Sequence, residues 1–472
     1  MVFSSSTFLV VFLPITLLAY FLVGCFLTKN ITVKNLILLA ASLIFYAWGE
    51  PVYIVLMLIS IMFNYIIGRD IALSKKDGGK KRAKVLFICA VVFNLAALGF
   101  FKYSGFVAEN LGNLLGLQFK MPDLPLPVGI SFYTFQIMSY IIDLYNGKIK
   151  VQKSILSFAL YISLFPQLIA GPIVKYKDIE RQLSRRKETP QKYAEGMSRF
   201  VVGLSKKLLL ANTLGSVYST VQATEFGKLS ALSAWVGIVC YTLQIYFDFS
   251  GYSDMAIGLG KMFGFEFSEN FRYPYIASSV TDFWRRWHIS LSSWFRDYVY
   301  IPLGGNRRKT PRVIFNLMIV WLLTGLWHGA AWNFILWGVY YGVLLILEKY
   351  VLKSKLERVP AMLRRVITLI LVMLGWVLFS APTLSDALGY IGVMFGFGAG
   401  LFDANGAYLL TSNLALILIG AFCAAPIYKK LQKKIKPVNL SRVKAAAYPL
   451  LLILCYIFMI SETYNPFLYF RF

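Results

Sequence analysis

The chain has 472 residues, of which 58% are hydrophobic, 16% aromatic and only 15% charged. A water-soluble core cannot bury so much apolar surface, so the composition excludes a soluble globular protein and indicates an all-α polytopic membrane protein. The formal net charge of +26 does not indicate nucleic-acid binding, because the basic residues fall in short clusters between long apolar runs. Such clusters are typical of cytoplasmic loops, which also contact anionic membrane lipids.

About eleven or more apolar segments approach the roughly 20 residues that a helix needs to cross a bilayer. The first has no basic residue before it and Lys29 after it, which predicts an uncleaved span with its N-terminus outside. The basic run 69–84 then falls inside, in agreement. The segments are 5–28, 35–49, 51–68, 85–101, 126–145, 197–222, 229–249, 313–348, 363–381, 407–428 and 445–461.

One further apolar run, 155–174, does not fit the alternation of sides. It is followed by the basic run 175–192, which should also be cytoplasmic. We therefore expect SLFPQLIAGPIVKY to dip into the membrane and return, because its prolines and glycine free backbone groups that lipid cannot satisfy. A proline kink in an ordinary span is the alternative.

The region 271–312 is too charged to span a membrane and too aromatic for a solvated loop. Its mixture of tryptophans and arginines, as in FWRRWH, predicts amphipathic segments lying at the lipid headgroups. No linker or internal repeat divides the chain. We expect a single membrane-embedded domain over residues 1–472.

His328 is one of only two histidines and lies within the apolar stretch TGLWHGAAWNFILWG. An ionisable side chain at such depth usually faces the protein interior or a watery cavity. A neutral imidazole there acts as a general base for a hydroxyl or simply joins two helices by a hydrogen bond. The flanking Gly325, Gly329 and Gly338 leave room for a substrate, which favours the functional interpretation.

His288 follows Trp287 in the aromatic and basic region. One interpretation is an interfacial histidine of an aromatic belt; the other is a second member of the same site. Asp248 and Asp254, at the predicted end of a span, suggest a proton or ion path, although Asp254 also suits a helix cap. We expect no metal site, because two histidines and five singly scattered cysteines do not supply a ligand set.

Three blocks of sequence together resemble the membrane-bound O-acyltransferase family, and most of all its alginate O-acetyltransferase branch. They are SLFPQLIAGPIVKY, the stretch from YFDFSGYSDMAIGLGKMFGF to SSWFRDYVYIPLGG, and LTGLWHGAAWNFILWGVYYG, in that order over about 163–342. The closing YNPFLYFRF is also similar to that branch. The resemblance implies that His328 is the catalytic histidine and that His288 is the branch's second one.

The resemblance also implies a ring of tilted helices with re-entrant segments around a central tunnel, in which a cytoplasmic passage meets an outward cavity. His328 would then act as general base on an acceptor hydroxyl that attacks the acyl thioester. Asn333 or amides near Gly329 would hold the oxyanion. Further substrate-binding candidates are Asp248, Trp327, Arg285 and Arg286, the two arginines contacting either an anionic donor or lipid phosphate.

We accordingly expect O-acetylation of an extracytoplasmic polysaccharide, at a bacterial cell membrane, directly or through a partner protein. Acetyl-CoA or another acyl thioester would be the donor substrate, and no bound cofactor is expected. D-alanyl transfer to teichoic acid from a carrier protein is the alternative within the family. A transporter or flippase is the alternative from another class, suggested by the broken segment and the membrane carboxylates.

Overall fold

The computed structural model describes residues 1–117, 119, 124–169, 171–432, 434 and 437–461. Every regular element in these ranges is helical, as the composition predicts. The closing YNPFLYFRF lies outside the described residues. Contacts divide the chain into two compact units, the first formed by Met1–Phe200 and Met255–Ser268 and the second by Val201–Asp254 and the chain from Glu269 onward. The expectation of a single domain stays a prediction.

The first unit opens with a helical span in which α1 (Leu13–Leu18) lies between two π-helical segments, Thr7–Phe12 and Ala19–Leu27. The longest helix of this unit, α4, has 36 residues. The helices after α1 are α2 (Ile31–Gly49), α3 (Tyr53–Lys76), α4 (Lys80–Leu115), α5 (Ile130–Tyr145), α6 (Ile155–Ser163), α7 (Phe165–Leu168) and α8 (Tyr176–Ser184).

Two long helices contribute to both units: α9 (Pro190–Ser205) and α11 (Ala231–Met262), with α10 (Thr213–Gln222) between them. A π-helical segment, Lys206–Asn212, joins α9 to α10. The remaining helices are α12 (Val280–Arg286), α13 (Ile289–Phe295), α14 (Thr310–His328), α15 (Trp332–Leu347), α16 (Lys353–Arg358), α17 (Ala361–Ser380), α18 (Leu384–Met394), α19 (Ala404–Ala424), α20 (Ile427–Gln432) and α21 (Pro437–Ser461).

Short turns complete the second unit. The 3-10 turns are Phe226–Lys228, Pro274–Ile276 and Gly305–Arg307, and π-helical segments cover Arg296–Tyr300 and Glu348–Leu352.

Among the described residues, 11 helices are long and apolar enough to cross a membrane. This number agrees with the prediction, but two elements differ. The predicted span 126–145 is α5, which has 16 residues and is almost completely buried. The predicted span 313–348 is two helices, α14 and α15, separated by an extended break that begins at Gly329.

The loop within the basic run 69–84 is also shorter than expected, since α3 continues to Lys76 and α4 begins at Lys80. The lysines therefore lie in the last turn of one helix and the first turn of the next. Lysine near a helix C-terminus is favourable, because it complements the partial negative charge there.

The predicted break in the run 155–174 is present. Helix α6 ends after nine residues at Ser163, and in the described part of the buried chain from there to residue 174 the helical element is the single turn α7. Tyr161 donates hydrogen bonds to the carbonyls of Gln136 and Val174, at 3.1 and 3.0 Å, and Gln167 donates to the carbonyl of Tyr161 at 2.6 Å. The irregular backbone is thus held by protein groups, which is the condition for such a segment at membrane depth. The side of the membrane on which its ends lie stays a prediction.

The region 271–312 differs from the expectation of segments at the lipid headgroups. Helices α12 and α13 are short, and Trp284, Trp287 and Trp294 are buried in the second unit, at 7%, 3% and 5% exposure. Arg285 and Ser292 are exposed. Trp284 and Trp287 belong to the core because they pack against rings of α11, α14, α15 and α17, as Trp287 does with Trp376 at 4.8 Å between ring centroids. Trp294 packs against Phe295 and Tyr298.

Candidate functional site

His328 is the last residue of α14, and the chain turns to an extended conformation at Gly329 before α15 begins. The side chain is 4% exposed. Its ring centroid lies 5.0 Å from that of Trp327, 5.1 Å from Trp337 of α15 and 5.2 Å from Phe379 of α17. Three helices therefore supply an aromatic enclosure that keeps this imidazole away from bulk water.

His288 lies between α12 and α13 and is 1% exposed. It adopts the left-handed backbone conformation, with φ of 44°, which is uncommon for a residue other than glycine and often marks a functional position. Its ring meets Phe249 of α11 edge-on, at 4.6 Å between centroids. The aromatic-belt interpretation is therefore wrong: His288 is a core residue.

The two histidines share one neighbour. The Trp327 ring centroid is 5.9 Å from that of His288 and 5.0 Å from that of His328. The structure thus brings together the three sequence-predicted residues His288, Trp327 and His328 in the second unit.

A polar cluster holds His288 on its Nδ1 side. Asn270 Oδ1 lies 3.2 Å from His288 Nδ1 and accepts hydrogen bonds from the backbone N–H of Ser290, at 3.1 Å, and from its hydroxyl, at 2.9 Å. Asn270 Nδ2 donates to Ser253 Oγ of α11 at 3.1 Å. Sequence reasoning missed Asn270, which reads as an ordinary polar residue in SENFRYP.

Burial lowers the pKa of His288 to about 3, because an apolar surrounding disfavours the charged imidazolium. The ring is therefore neutral at any physiological pH. A neutral imidazole has one N–H donor and one lone-pair nitrogen, so its chemistry depends on which nitrogen holds the proton.

The glycines around His328 allow α14 and α15 to pack closely and do not open a passage. A Cβ on Gly329 would overlap the Phe334 ring, one on Gly325 would overlap the Phe334 carbonyl, and one on Gly338 would overlap the Trp321 carbonyl. These glycines let α14 and α15 approach closely. The expectation that Gly325, Gly329 and Gly338 leave room for a substrate is therefore wrong, and a substrate-binding role for Gly329 has no support in this geometry.

The residues that begin α15 differ in exposure. Trp332 is 56% exposed. Asn333 is buried, and its Nδ2 donates to the Ala381 carbonyl at 2.9 Å, beyond the C-terminus of α17. This bond joins α15 to α17 through one of the two amide hydrogens and gives Asn333 a structural task, while an oxyanion role stays a prediction.

Asp248 and Asp254 both form ion pairs with the π-helical segment after α9. Asp248 lies 2.7 Å from Lys207 Nζ, with the two side chains 2% and 1% exposed, and Asp254 lies 2.6 Å from Lys206 Nζ. Neither aspartate ends a helix, since α11 continues to Met262. The helix-cap interpretation of Asp254 is wrong, and the paired Asp248 gives no support to an open ion path.

A cavity of about 630 Å³ opens beside the aromatic enclosure. Its polar part carries the cations of Arg285, Arg296, Lys349, Lys353 and Arg364 against the carboxylates of Glu348 and Glu357. Its apolar wall includes Trp284, Trp321 and Thr324, one helical turn before His328. Trp284 contacts Trp337, at 5.5 Å between centroids, and Trp337 contacts His328.

The structure separates the two arginines singled out in the sequence. Arg285 lines the cavity and is exposed, whereas Arg286 pairs with Asp282 on its own helix, at 2.8 Å. Sequence reasoning did not identify the other four cationic residues of the cavity. They lie in segments that are far apart in the sequence and that meet at the cavity only in the folded protein.

Comparison with known proteins places the chain in a family. The profile of the membrane-bound O-acyltransferase family matches residues 146–385, a range that contains both histidines and every residue lining the cavity. The chain is 42% identical over 452 residues to a probable alginate O-acetylase AlgI of Pseudomonas aeruginosa, covering 95% of this chain and 85% of that protein.

Two other relatives extend this comparison. The chain is 33% identical over 524 residues to a peptidoglycan O-acetyltransferase of Helicobacter pylori, covering 100% of this chain and 98% of that protein. It is 30% identical over 274 residues to a teichoic acid D-alanyltransferase of Bacillus subtilis, covering 54% of this chain and 68% of that protein. With these matches and its apolar helices, the chain belongs to the membrane-bound O-acyltransferase family and is a multi-pass membrane O-acyltransferase.

Proposed function

We propose that this protein moves an acetyl group from a cytoplasmic thioester to a hydroxyl of an extracytoplasmic polysaccharide, with His328 as the general base. The observation that carries the proposal is the position of His328. It ends α14 inside an aromatic enclosure, within one helical turn of a cavity rich in cations.

The chemistry follows from a neutral imidazole in that enclosure. The acceptor oxygen attacks the thioester carbonyl carbon while its proton passes to His328. The carbon–sulfur bond then breaks, and the leaving thiolate takes up a proton. Exclusion of water by the rings of Trp327, Trp337 and Phe379 protects the thioester from hydrolysis and strengthens electrostatic interactions at the reacting atoms.

The cavity supports an anionic donor. Its five cationic side chains exceed its two carboxylates, and Glu348 already accepts hydrogen bonds from the backbone N–H groups of Val280 and Thr281, at 2.7 and 3.1 Å. Phosphate groups are natural ligands for such an excess of arginine and lysine. Acetyl-CoA fits this description, with its phosphates among the cations and its acyl arm along Trp284 and Trp321.

The distribution of basic residues supports a cytoplasmic donor. Basic residues flank the cavity end of α14 and α15, in RRKTPR (307–312) and in the run from Lys349 to Arg365. Lys and Arg accumulate on the cytoplasmic side of membrane proteins. The His328 end of α14 then points outward, toward the acceptor, as a bacterial cell-membrane enzyme would require.

The relatives favour a polysaccharide acceptor. Two of them are named for O-acetylation of alginate or of peptidoglycan, and each aligns with most or all of this chain. The acceptor is reached directly or through an extracytoplasmic partner that carries the acetyl group onward. D-alanyl transfer has weaker support, since the D-alanyltransferase aligns with only 54% of this chain. Asp248 gives no support to the transporter alternative, because its carboxylate is buried and paired with Lys207.

The test is transfer by the purified protein in liposomes. Acetyl-CoA labelled in the acetyl group is supplied on the side where the cavity opens, and an oligosaccharide of alginate or peptidoglycan on the other. We expect free CoA and labelled ester in equal amounts. A D-alanyl-loaded carrier protein serves as the competing donor, and its preferential use would overturn acetyl transfer.

A further inference from the structure

The orientation of the Asn270 amide is fixed by its neighbours. The backbone N–H of Ser290 donates to one side-chain atom of Asn270 at 3.1 Å, and since a backbone N–H can only donate, that atom is the oxygen. The other atom, Nδ2, then donates to Ser253 Oγ at 3.1 Å. The same oxygen lies 3.2 Å from His288 Nδ1, so Nδ1 faces an acceptor.

The hydroxyl of Ser290 gives the same result. Its hydrogen is used toward Asn270 Oδ1, at 2.9 Å, so the hydroxyl presents a lone pair to His288 Nδ1, at 3.4 Å. Both polar atoms beside Nδ1 are therefore acceptors toward it. A ring nitrogen with such neighbours carries the proton.

We infer that Asn270 is a positioning residue that holds His288 in the tautomer with the proton on Nδ1, leaving Nε2 as the lone-pair nitrogen that accepts a hydrogen bond during acyl transfer. Its consequence for transfer rests on the proposed function, whereas the tautomer itself does not. Nothing in the resemblance or in the relatives assigns a role to Asn270.

The backbone makes this arrangement rigid. The carbonyl of Asn270 accepts from the N–H of Ile289 at 3.0 Å, and Arg272 N–H donates to the Arg286 carbonyl at 2.9 Å. The segment before His288 and the segment after it are thus both hydrogen-bonded to the backbone of residues 270–272. These bonds hold His288 in its left-handed conformation and aim its Nδ1 at the amide oxygen.

The carboxylates on the helices packed around His288 form ion pairs with other residues, which is consistent with a neutral His288 ring protonated on Nδ1. On α11, Asp248 and Asp254 pair with Lys207 and Lys206. On α12, Asp282 pairs with Arg286, and on α14 the titratable neighbour is His328. Burial is the cause that lowers the pKa of His288 to about 3. The neutral ring then persists at working pH, so its tautomer is what decides its role.

The chain offers a direct spectroscopic test, because it has only two histidines. In His328→Gln, His288 is the sole histidine, and isotope-labelled histidine in proteoliposomes gives one pair of ring-nitrogen signals. At neutral pH we expect a protonated, pyrrole-type Nδ1 and a pyridine-type Nε2. A protonated Nε2 would overturn the inference.

Two added substitutions test the cause. In the same background, Asn270→Ala removes the acceptor, and the ring signals should shift toward the opposite tautomer. Asn316→Ala is the matched control: Asn316 is also buried in the second unit, but its amide bonds the carbonyls of Leu303 and Gly305. It should leave the signals unchanged, and unchanged signals in Asn270→Ala would refute the assignment.

Transfer assays with His328 intact test the consequence. Asn270→Ala should lower acetyl transfer roughly ten- to hundredfold, because His288 in the other tautomer presents an N–H at Nε2 in place of the lone pair. Asn270→Asp keeps the shape and adds a carboxylate that favours imidazolium, so the acid limb of its pH profile should move to higher pH. Normal transfer by Asn270→Ala with a changed tautomer would refute the catalytic part. The expected tautomer in a protein that transfers no acetyl group would refute only the proposed function.

Discussion

At the scale of single residues, His328 has both a chemical and a packing role. Its imidazole contacts three aromatic rings, so truncation removes the proposed base and also leaves a gap among Trp327, Trp337 and Phe379. An isosteric change separates the two effects better than truncation does. Glutamine fills most of the same volume and cannot accept a proton.

We expect His328→Ala and His328→Gln to lose acetyl transfer by about 10²–10⁴-fold, the usual contribution of a general base. Both should insert into the membrane, with alanine giving the lower melting temperature. Transfer by the reconstituted protein and thermal unfolding in detergent are the measurements. Asn316→Ala, a buried polar truncation on the same helix, is the control. A well-expressed His328→Gln protein with near-normal transfer would contradict the assignment.

His288 predicts a pH dependence of stability. Burial lowers its pKa from 6.5 to about 3 in the folded protein, so the unfolded state binds more protons between these values. The stability that the neutral ring provides is present above about pH 6.5 and is lost as the pH falls toward 3.

The wild-type melting temperature should therefore fall more steeply from pH 7 to pH 4 than that of His288→Asn, which has no group titrating there. Carboxylates contribute equally to both proteins and cancel in the comparison. If the melting temperatures of the two proteins fell by the same amount from pH 7 to pH 4, His288 would be protonated in the folded protein as easily as in the unfolded one.

How far the site can be predicted from sequence depends on whether a residue stands out from its surroundings. His328 does, because it is an isolated ionisable group in an apolar run. Asn270 does not, because it lies in a polar stretch, and its partner His288 is 18 positions away. Its importance comes from the bend that ties residues 270–272 to 286–289, which no local periodicity reveals.

At the scale of elements, the contact between α14 and α15 is built on glycines. A Cβ at position 329 would overlap the Phe334 ring, and one at position 325 would overlap backbone. Close backbone approach of this kind is typical of helix pairs in membranes, where small residues replace the hydrophobic effect as the basis of packing.

Gly329→Val should therefore destabilise the fold, contrary to the sequence-based interpretation of an open passage. Overpacking of a tight core typically costs about 1–3 kcal/mol. The measurements are the folded yield by size exclusion and the melting temperature. Gly227→Val is the control, since a Cβ there meets nothing within 4 Å. Equal stability of the two variants would restore the passage interpretation.

The ion pair between Lys207 and Asp248 joins the π-helical segment to α11 in a place that water does not reach. Removing one partner leaves a buried charge, at a cost of about 3–5 kcal/mol, whereas replacing both by apolar groups is often neutral.

We expect Lys207→Met and Asp248→Leu each to lower the melting temperature strongly, and the double variant to regain most of it. Acetyl transfer measured on the double variant decides whether Asp248 also binds substrate, because an ion pair with a structural role alone leaves transfer largely intact. The exposed pair of Lys228 and Glu225 provides the control cycle, with effects of about 0–1 kcal/mol. Additive losses in the buried pair would refute its coupling.

The helices themselves were predictable where apolar runs are long and bounded by charge. The prediction of one continuous span over 313–348 was wrong because the residues GAA after His328 include no proline, and small residues are compatible with a continuous helix. The end of α11 was misplaced for the opposite reason: DFSGYSD contains polar residues typical of a loop, but Asp248 and Asp254 are neutralised by lysines. Pairing between distant elements cannot be inferred from one local sequence.

At the scale of the whole molecule, all residues of the candidate site come from the second unit, while the broken helix α6–α7 belongs to the first. The sequence resemblance spans both. The composition and the spacing of apolar runs predicted the number of spans well, because the thickness of a bilayer sets the length of a helix.

The positions of the basic segments predict that the turn between α3 and α4 and the segment between α8 and α9 are both cytoplasmic. Single cysteines at the exposed Asp77 and Lys187, in a background without the natural cysteines, should react with an impermeant reagent only after the membrane is opened. Gly227→Cys, in the turn between α10 and α11, should react in intact cells. Labelling of Lys187→Cys in intact cells would refute the dip of residues 155–174.

The length of α4 has a consequence for the cell surface. Its 36 residues extend about 54 Å at 1.5 Å per residue, whereas the hydrocarbon layer is about 30 Å thick. The apolar stretch from Val85 to Phe101 covers about 26 Å of that layer. With the turn between α3 and α4 on the cytoplasmic side, as its basic residues predict, we expect the last turns, with Glu109, Asn110 and Asn113, to lie beyond the lipid on the outer side. An antibody epitope inserted at Gly116, where nothing lies within 4 Å, would be displayed above the membrane and would report by surface staining how the enzyme is oriented in a living cell.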